Sequence, residues 1–247
     1  IAYSSFYRKL INIDDKGVNV IMRYTLRLLT TQQFERASSL ICAMEYIRKK
    51  NEAILGKNKF GIGSWVGNEV TPGKRTDSKT LLKNIVSERF QQSKQSFLLS
   101  SCPWCKAQFK RYKLNKIDQI SKDGKTPTKF ELDEFKGVVQ LGNRTAFQCP
   151  DRECEFSKNK HGTLPVYVVD EDIFEFKPTL VIGTIDKFAQ LIWEPASKSL
   201  FGLGKNSERI HKPPQLVLQD ELHLINGPLG SVSGLFEIVV DVLCKDQ

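Results

Sequence analysis

The stretch that most narrows the fold is Gln215-Leu216-Val217-Leu218-Gln219-Asp220-Glu221-Leu222-His223-Leu224-Ile225. A run of branched apolar residues fits a strand of a parallel sheet buried on both faces, which requires helices above and below it. The run ends in two adjacent carboxylates and a histidine, followed by Asn226-Gly227-Pro228. In open α/β sheets ligands sit beyond the carboxyl ends of the strands, so Asp220 and Glu221 are expected in a crevice. One carboxylate holding a hard cation beside another that polarises water is the chemistry of nucleoside triphosphate hydrolysis. So short a box also arises by chance, and a solvated acidic strand end is the competing reading.

The strand-then-helix pattern recurs upstream. Val18 to Tyr24 reads as a strand, and Thr30 to Lys50 as an amphipathic helix with Phe34, Ala37, Leu40, Ile41, Met44 and Ile47 on one side. The turn from Arg23 to Gln33 offers hydroxyls, guanidinium groups and helix-start amides to a phosphate backbone, or is simply a capped helix start. Leu164 to Asp170 reads as a strand, and Pro178 to Thr184 as another that breaks into a helix from Ile185 to Ile192. Thr184, Asp186 and Lys187 repeat the phosphate-facing arrangement, although Thr184 also suits a plain N-cap. Ser231 to Cys244 has helical spacing of core residues.

Between these units the signals are weaker. Phe60 to Gly67 alternates small and large residues like an edge strand or tight loop, and matches neither the phosphate-loop nor the dinucleotide pattern. Val70 to Thr80 reads as polar and turn-rich, Leu81 to Gln92 as a helix, and Ala196 to Pro214 as an exposed loop. Ile1 to Asp15 gives little beyond an aromatic, basic lead-in.

From about Ser96 to Gly162 the chain turns basic and loop-like, with Lys106, Lys110, Arg111, Lys113 and Lys116 in close order. Cys102-Pro103-Trp104-Cys105 and Cys149-Pro150-Asp151-Arg152-Glu153-Cys154 lie in this segment. Two short knuckles of this kind, converging on one ion, are what a structural tetrahedral zinc site needs. The four-residue gap in the second pair and the long separation depart from a compact ribbon. A disulfide and a redox pair are the alternatives. His161 is a weaker candidate ligand, while Cys42 and Cys244 read as buried core thiols. These breaks divide the chain into 1–95, 96–162 and 163–247.

The 247 residues carry a net charge of +9 and a pI near 9.2, a balance that favours a polyanionic partner. No apolar run is long enough to span a bilayer, and the expectation is a soluble, cytoplasmic protein without a membrane partner. The chain opens on Ile1 rather than Met and stops soon after a helical pattern begins, so a fragment of something larger is expected.

In order along the chain, Thr25 to Gln33 resembles motif Ia of superfamily 2 helicases, Gly183-Thr184-Ile185-Asp186-Lys187-Phe188 the Ib region, and Asp220-Glu221-Leu222-His223 the DExH form of motif II. The wording around Arg23 to Thr30 and Asp220 to Gly230 is most similar to the large helicases of the bacterial DISARM anti-phage systems. The resemblance implies a RecA-like α/β domain, lacking its first strand and phosphate loop and interrupted by the Cys₄ insert. It further implies an ATP-hydrolysing helicase or translocase acting on nucleic acid, mainly DNA, with ATP, Mg²⁺ and structural Zn²⁺ as its cofactors. Asp220 would bind Mg²⁺, Glu221 would be the general base, and His223 would couple hydrolysis to domain closure. Thr25, Arg27, Thr184 and Lys187 would face the nucleic-acid backbone. Here the motif Ia glutamine is displaced by one residue, which leaves Gln32 and Gln33 unassigned. The expected partners are DNA, a second RecA-like domain of the parent chain and a defence subunit. Without a phosphate loop the fragment by itself is expected to be inactive. A non-catalytic zinc-containing nucleic-acid-binding module, or a docking scaffold, is the alternative.

Overall fold

The computed structural model describes residues 1–24, 31–87, 96–117, 129–189, 194–219 and 230–244. In chain order its elements are α1 (Ala2–Ile11), β1 (Val20–Tyr24), α2 (Thr31–Lys50), α3 (Glu52–Leu55), β2 (Ile62–Trp65), α4 (Arg75–Val86), β3 (Lys110–Ile117), β4 (Lys129–Lys136), β5 (Val138–Leu141), β6 (Arg144–Phe147), β7 (Val166–Tyr167), α5 (Asp170–Phe176), β8 (Leu180–Thr184), α6 (Ile185–Ala189), β9 (Leu216–Gln219) and α7 (Gly230–Cys244). Five of the strands form one sheet in the order β7-β2-β8-β1-β9, every neighbouring pair parallel.

Side chains alternate along a strand, so each strand serves both faces of the sheet. Val20, Ile62, Leu180 and Ile182 point to one face, where Phe34, Ile41 and Met44 of α2 and Leu81 of α4 cover them. Ile21, Trp65 and Val181 point to the other, under Ile173 of α5, Phe188 of α6 and Phe236 of α7. Leu200 and Phe201, from the 3-10 helix Pro195–Phe201, complete that second layer. The result is a parallel sheet flanked by helices, the layering expected of a RecA-like domain. Each large side chain buried this way stabilises the fold by about 1.5–3 kcal/mol before the entropy of ordering is subtracted.

Several expectations are corrected. α2 is rotated relative to its predicted face: Leu40 and Ile47 are exposed, while Ser38, Glu45 and Arg48 turn inward with Phe34 and Ile41. The polar residues are tolerated because Glu45 and Arg48 pair bidentately, at 2.8 Å for both contacts, and Glu45 also accepts the Phe60 N–H at 2.9 Å. β2 is an interior strand rather than an edge. A Cβ on Gly63 would lie 2.9 Å from Pro178 Cγ and 3.2 Å from Ile173 Cγ1, so glycine is what lets these segments meet.

The lead-in is a helix, α1, whose buried side is charged rather than apolar. Arg8 is held by Asp15 at 2.7 and 3.0 Å and donates to the carbonyls of Val18, Pro213 and Lys212. α4 begins six residues before the expected Leu81, the Leu164–Asp170 segment pairs only at Val166–Tyr167 before α5 begins, and 195–201 is helical with Leu200 and Phe201 buried. Segment 96–162 contains two antiparallel pairs, β3 with β4 and β5 with β6, and is not loop-like throughout. Its buried Cys102, Val138, Phe147 and Phe156 join the same core as α2. No helix among the described residues is long and apolar enough to cross a membrane.

Candidate functional site

Two short turns bring four cysteines together. In the first, Lys106 N–H donates to Cys102 O at 2.8 Å and Cys102 N–H to Ala107 O at 2.9 Å, with Lys106 in the left-handed region at φ 65°. In the second, Cys154 N–H donates to Asp151 O at 3.3 Å and Ser157 N–H to Cys154 O at 3.1 Å, while Asp151 Oδ1 accepts the Glu153 N–H. The four intervening residues are thus taken up in a compact turn. The long separation between the pairs is spanned by the β3–β4 and β5–β6 hairpins.

All four Sγ atoms lie within 4.8 Å of one another, and those of Cys105 and Cys149 are 3.4 Å apart. A tetrahedral zinc with Zn–S bonds of about 2.3 Å needs sulfurs roughly 3.8 Å apart, so the donor set fits a metal such as zinc. All six cysteines are unbonded thiols. Burial pushes the Cys154 thiol up to about 12 and also raises Cys102 and Cys149. For Cys105, which is exposed, burial works in the same direction but is outweighed by the Ala107 N–H and the neighbouring thiols, which lower it. A metal binds the thiolates, so these thiols must lose their protons as it enters, and metal affinity should rise with pH.

The cluster is fastened to α2. Trp104 packs between Tyr46 (5.2 Å) and Phe156 (5.6 Å), and Ser39 Oγ donates to Pro103 O at 2.7 Å. His161 is not one of the four: its Nδ1 meets Glu155 O at 2.7 Å and its ring lies against Phe156, with burial lowering its pKa. Cys42 is wholly buried as expected, whereas Cys244 is only partly so.

The second set of residues belongs to the carboxyl end of the sheet. Register places Arg23 of β1 between Gly183 of β8 and Gln219 of β9, and Tyr24 beside Thr184. Three adjacent parallel strands therefore end at one level, at a single edge of the sheet. Thr184 is buried there. Arg23, also buried, lies with its guanidinium 5.1 Å from the centre of the Phe236 ring. Lys187 is also buried, and its ammonium donates to Asp170 Oδ2 at 2.7 Å and Asn68 Oδ1 at 2.8 Å. Burial raises the Asp170 carboxyl, with Lys187 pulling the other way. Thr25, Arg27, Asp220, Glu221 and His223 lie outside the described residues.

Asp170 and Asn68 were not legible as partners of Lys187, being 17 and 119 positions away from it. The one available hint was Asp170 itself, an acidic residue at the end of an apolar run, the pattern that drew attention to Asp220.

Over 93% of its length the chain is 36% identical to "DISARM protein DrmA" of Bacillus paralicheniformis, and it spans about a fifth (21%) of that protein. No family model matches the chain.

Proposed function

We propose, starting from this similarity to a DISARM protein, that the chain is the motif Ia to motif II part of the first RecA-like domain of an ATP-dependent helicase or translocase acting on DNA in anti-phage defence. The observation that carries the reading is the common level of β8, β1 and β9. The resembling stretches Ib, Ia and II continue from the ends of these three neighbouring strands. Ligands of open α/β sheets bind at such an edge.

In this reading Asp220 supplies a hard carboxylate oxygen suited to Mg²⁺, whose charge neutralises the triphosphate. Glu221 takes a proton from the attacking water. The water oxygen bonds to the γ-phosphorus, the bond from phosphorus to the bridging oxygen breaks, and ADP and phosphate leave. His223 links that step to closure against a second RecA-like domain of the parent protein. In this reading a further strand and a phosphate loop would complete the site. Among the described residues β9 pairs only with β1, and its residues are half-buried.

Thr25, Arg27, Thr184 and Lys187 line the DNA-backbone side, giving binding that is insensitive to sequence and sensitive to salt. Lys187 can contact a phosphate only by leaving Asp170, so its part is conditional on that pair opening. Segment 96–162 is the zinc-binding insert, with Cys102, Cys105, Cys149 and Cys154 as ligands and a structural role. It also offers a surface for a partner defence subunit. The test is ATP turnover by the full-length protein with and without DNA. Stimulation by single-stranded or duplex DNA supports the reading, and turnover indifferent to DNA overturns it.

A further inference from the structure

The strand ends assigned to nucleotide and nucleic acid are the carboxyl ends of the sheet, and the cysteine cluster lies in segment 96–162. A cavity of about 450 Å³ opens at the opposite end. Its floor is made by the residues that lead into the strands: Asn19 before β1, Phe60 before β2, Pro165 before β7 and Thr179 before β8. Its walls come from α1, the turn at residues 15–17, the loop at 57–59, the β5–β6 hairpin, the end of α5 and His211.

The charge is one-sided. Seven lysines and arginines line the cavity against two carboxylates. Both carboxylates are already committed, Asp15 to Arg8 and Glu175 to Arg75. Lys9, Lys16, Lys57, Lys59, Arg144 and Lys177 remain, none of them in an ion pair among the described residues. An ordinary basic surface keeps its ammonium groups in water, but Lys9 is only 5% exposed and its Nζ donates to a backbone carbonyl, Asp15 O, at 2.7 Å. Lys177 sits in the left-handed region at φ 48°, a conformation that favours glycine. Cations gathered from five separate segments repel one another unless an anion joins them.

We infer that this basin binds a compact oligophosphate, of the size of a tripolyphosphate group, free or as the tail of a small molecule. The volume lies within the range of small-ligand pockets. Phosphate oxygens spaced along such a chain can meet lysines on opposite walls at once, which a single orthophosphate cannot. The basin is concave and faces away from the strand ends assigned to DNA, so an extended nucleic-acid strand is the less suitable occupant. Burial holds Lys9 down to about 8 and lowers Lys177 too, with Asp15 and Glu175 respectively offsetting only part of that effect.

The test is calorimetric titration of inorganic tripolyphosphate into the full-length protein at low salt and neutral pH. Wild type is compared with the rim variant Lys57→Glu/Lys59→Glu and with Lys177→Gly. Lys57 and Lys59 are exposed, and glycine takes the backbone of residue 177 without strain, so neither variant should lower the melting temperature. Saturable binding that weakens about tenfold or more in both variants supports the site. The inference is overturned by the absence of saturable binding, or by binding that the variants leave unchanged. It is also overturned if a short single-stranded DNA displaces the tripolyphosphate and is itself weakened by the same variants, which would make the basin a nucleic-acid surface. Lys57, Lys59 and Lys177 lie at the opposite end of the sheet from the proposed ATP site, so loss of tripolyphosphate binding in their variants with ATP turnover unchanged keeps this result separate from that site.

Discussion

Opening the cysteine cluster, which could bind a metal such as zinc, is the perturbation whose cost can be worked most directly from the structure. Phe156 is fully buried beneath the second knuckle, and Trp104 is held between Phe156 and Tyr46. If the knuckles separate, Phe156 loses about 1.5–3 kcal/mol of burial and the two aromatic contacts about 0.5–1.5 kcal/mol each, giving about 2.5–6 kcal/mol. At about 2–4 °C per kcal/mol for a chain of this size, the melting midpoint should fall by roughly 5–24 °C. The assay is elemental analysis followed by thermal unfolding with and without a chelator. Cys105→Ser is the cleanest variant, because Cys105 is exposed and contributes a ligand without filling the core. It should reproduce the chelated protein, while Cys42→Ala should keep its zinc although Cys42 is buried. Protein without zinc, or a midpoint indifferent to chelation, would refute the reasoning.

Lys187→Met leaves the carboxylate of Asp170 buried and unpaired, and should cost about 3–5 kcal/mol in urea unfolding. Lys187→Met/Asp170→Leu should recover most of that loss, and an equally unstable double variant would mean that the pair is not what holds α6 in place. Burial lowers Lys9 from 10.5 to about 8, so between those values the unfolded chain holds more protons than the folded one, and stability rises with pH across that window. Lys9→Met should remove that rise, making its stability relative to wild type greatest below pH 8; parallel pH profiles would contradict the assignment.

Much of the sheet was legible because β1, β8 and β9 are short apolar runs bounded by polar residues, a pattern that fits strands of a parallel sheet covered by helices. β2 was not, because its interior position depends on smallness: Gly63 makes room for Pro178 and Ile173, and a Gly-Ser pair resembles a loop in sequence. α1 was hidden for the opposite reason. Its buried residues include Ser5, Arg8 and Lys9, while Tyr3, Tyr7, Leu10 and Ile11 face outward, inverting the usual helical pattern. The face of α2 was misjudged because Glu45 and Arg48 satisfy each other inside the core, and a periodicity count assigns such residues to solvent.

The cysteines were legible because a metal site announces itself by residue type and short spacing. What joins them, two hairpins and a tryptophan wedged against α2, depends on contacts between residues far apart in sequence. The pairing of Lys187 with Asp170 and Asn68 was invisible for the same reason, as was the basic basin, to which five segments contribute positive charge.

The most direct test of the account is ATP turnover by full-length protein carrying Glu221→Gln. The substitution keeps the size of the side chain and removes only the carboxylate that would take the proton from water. DNA-stimulated turnover should fall by about a hundredfold or more while DNA binding is retained. Turnover at the wild-type rate would contradict it.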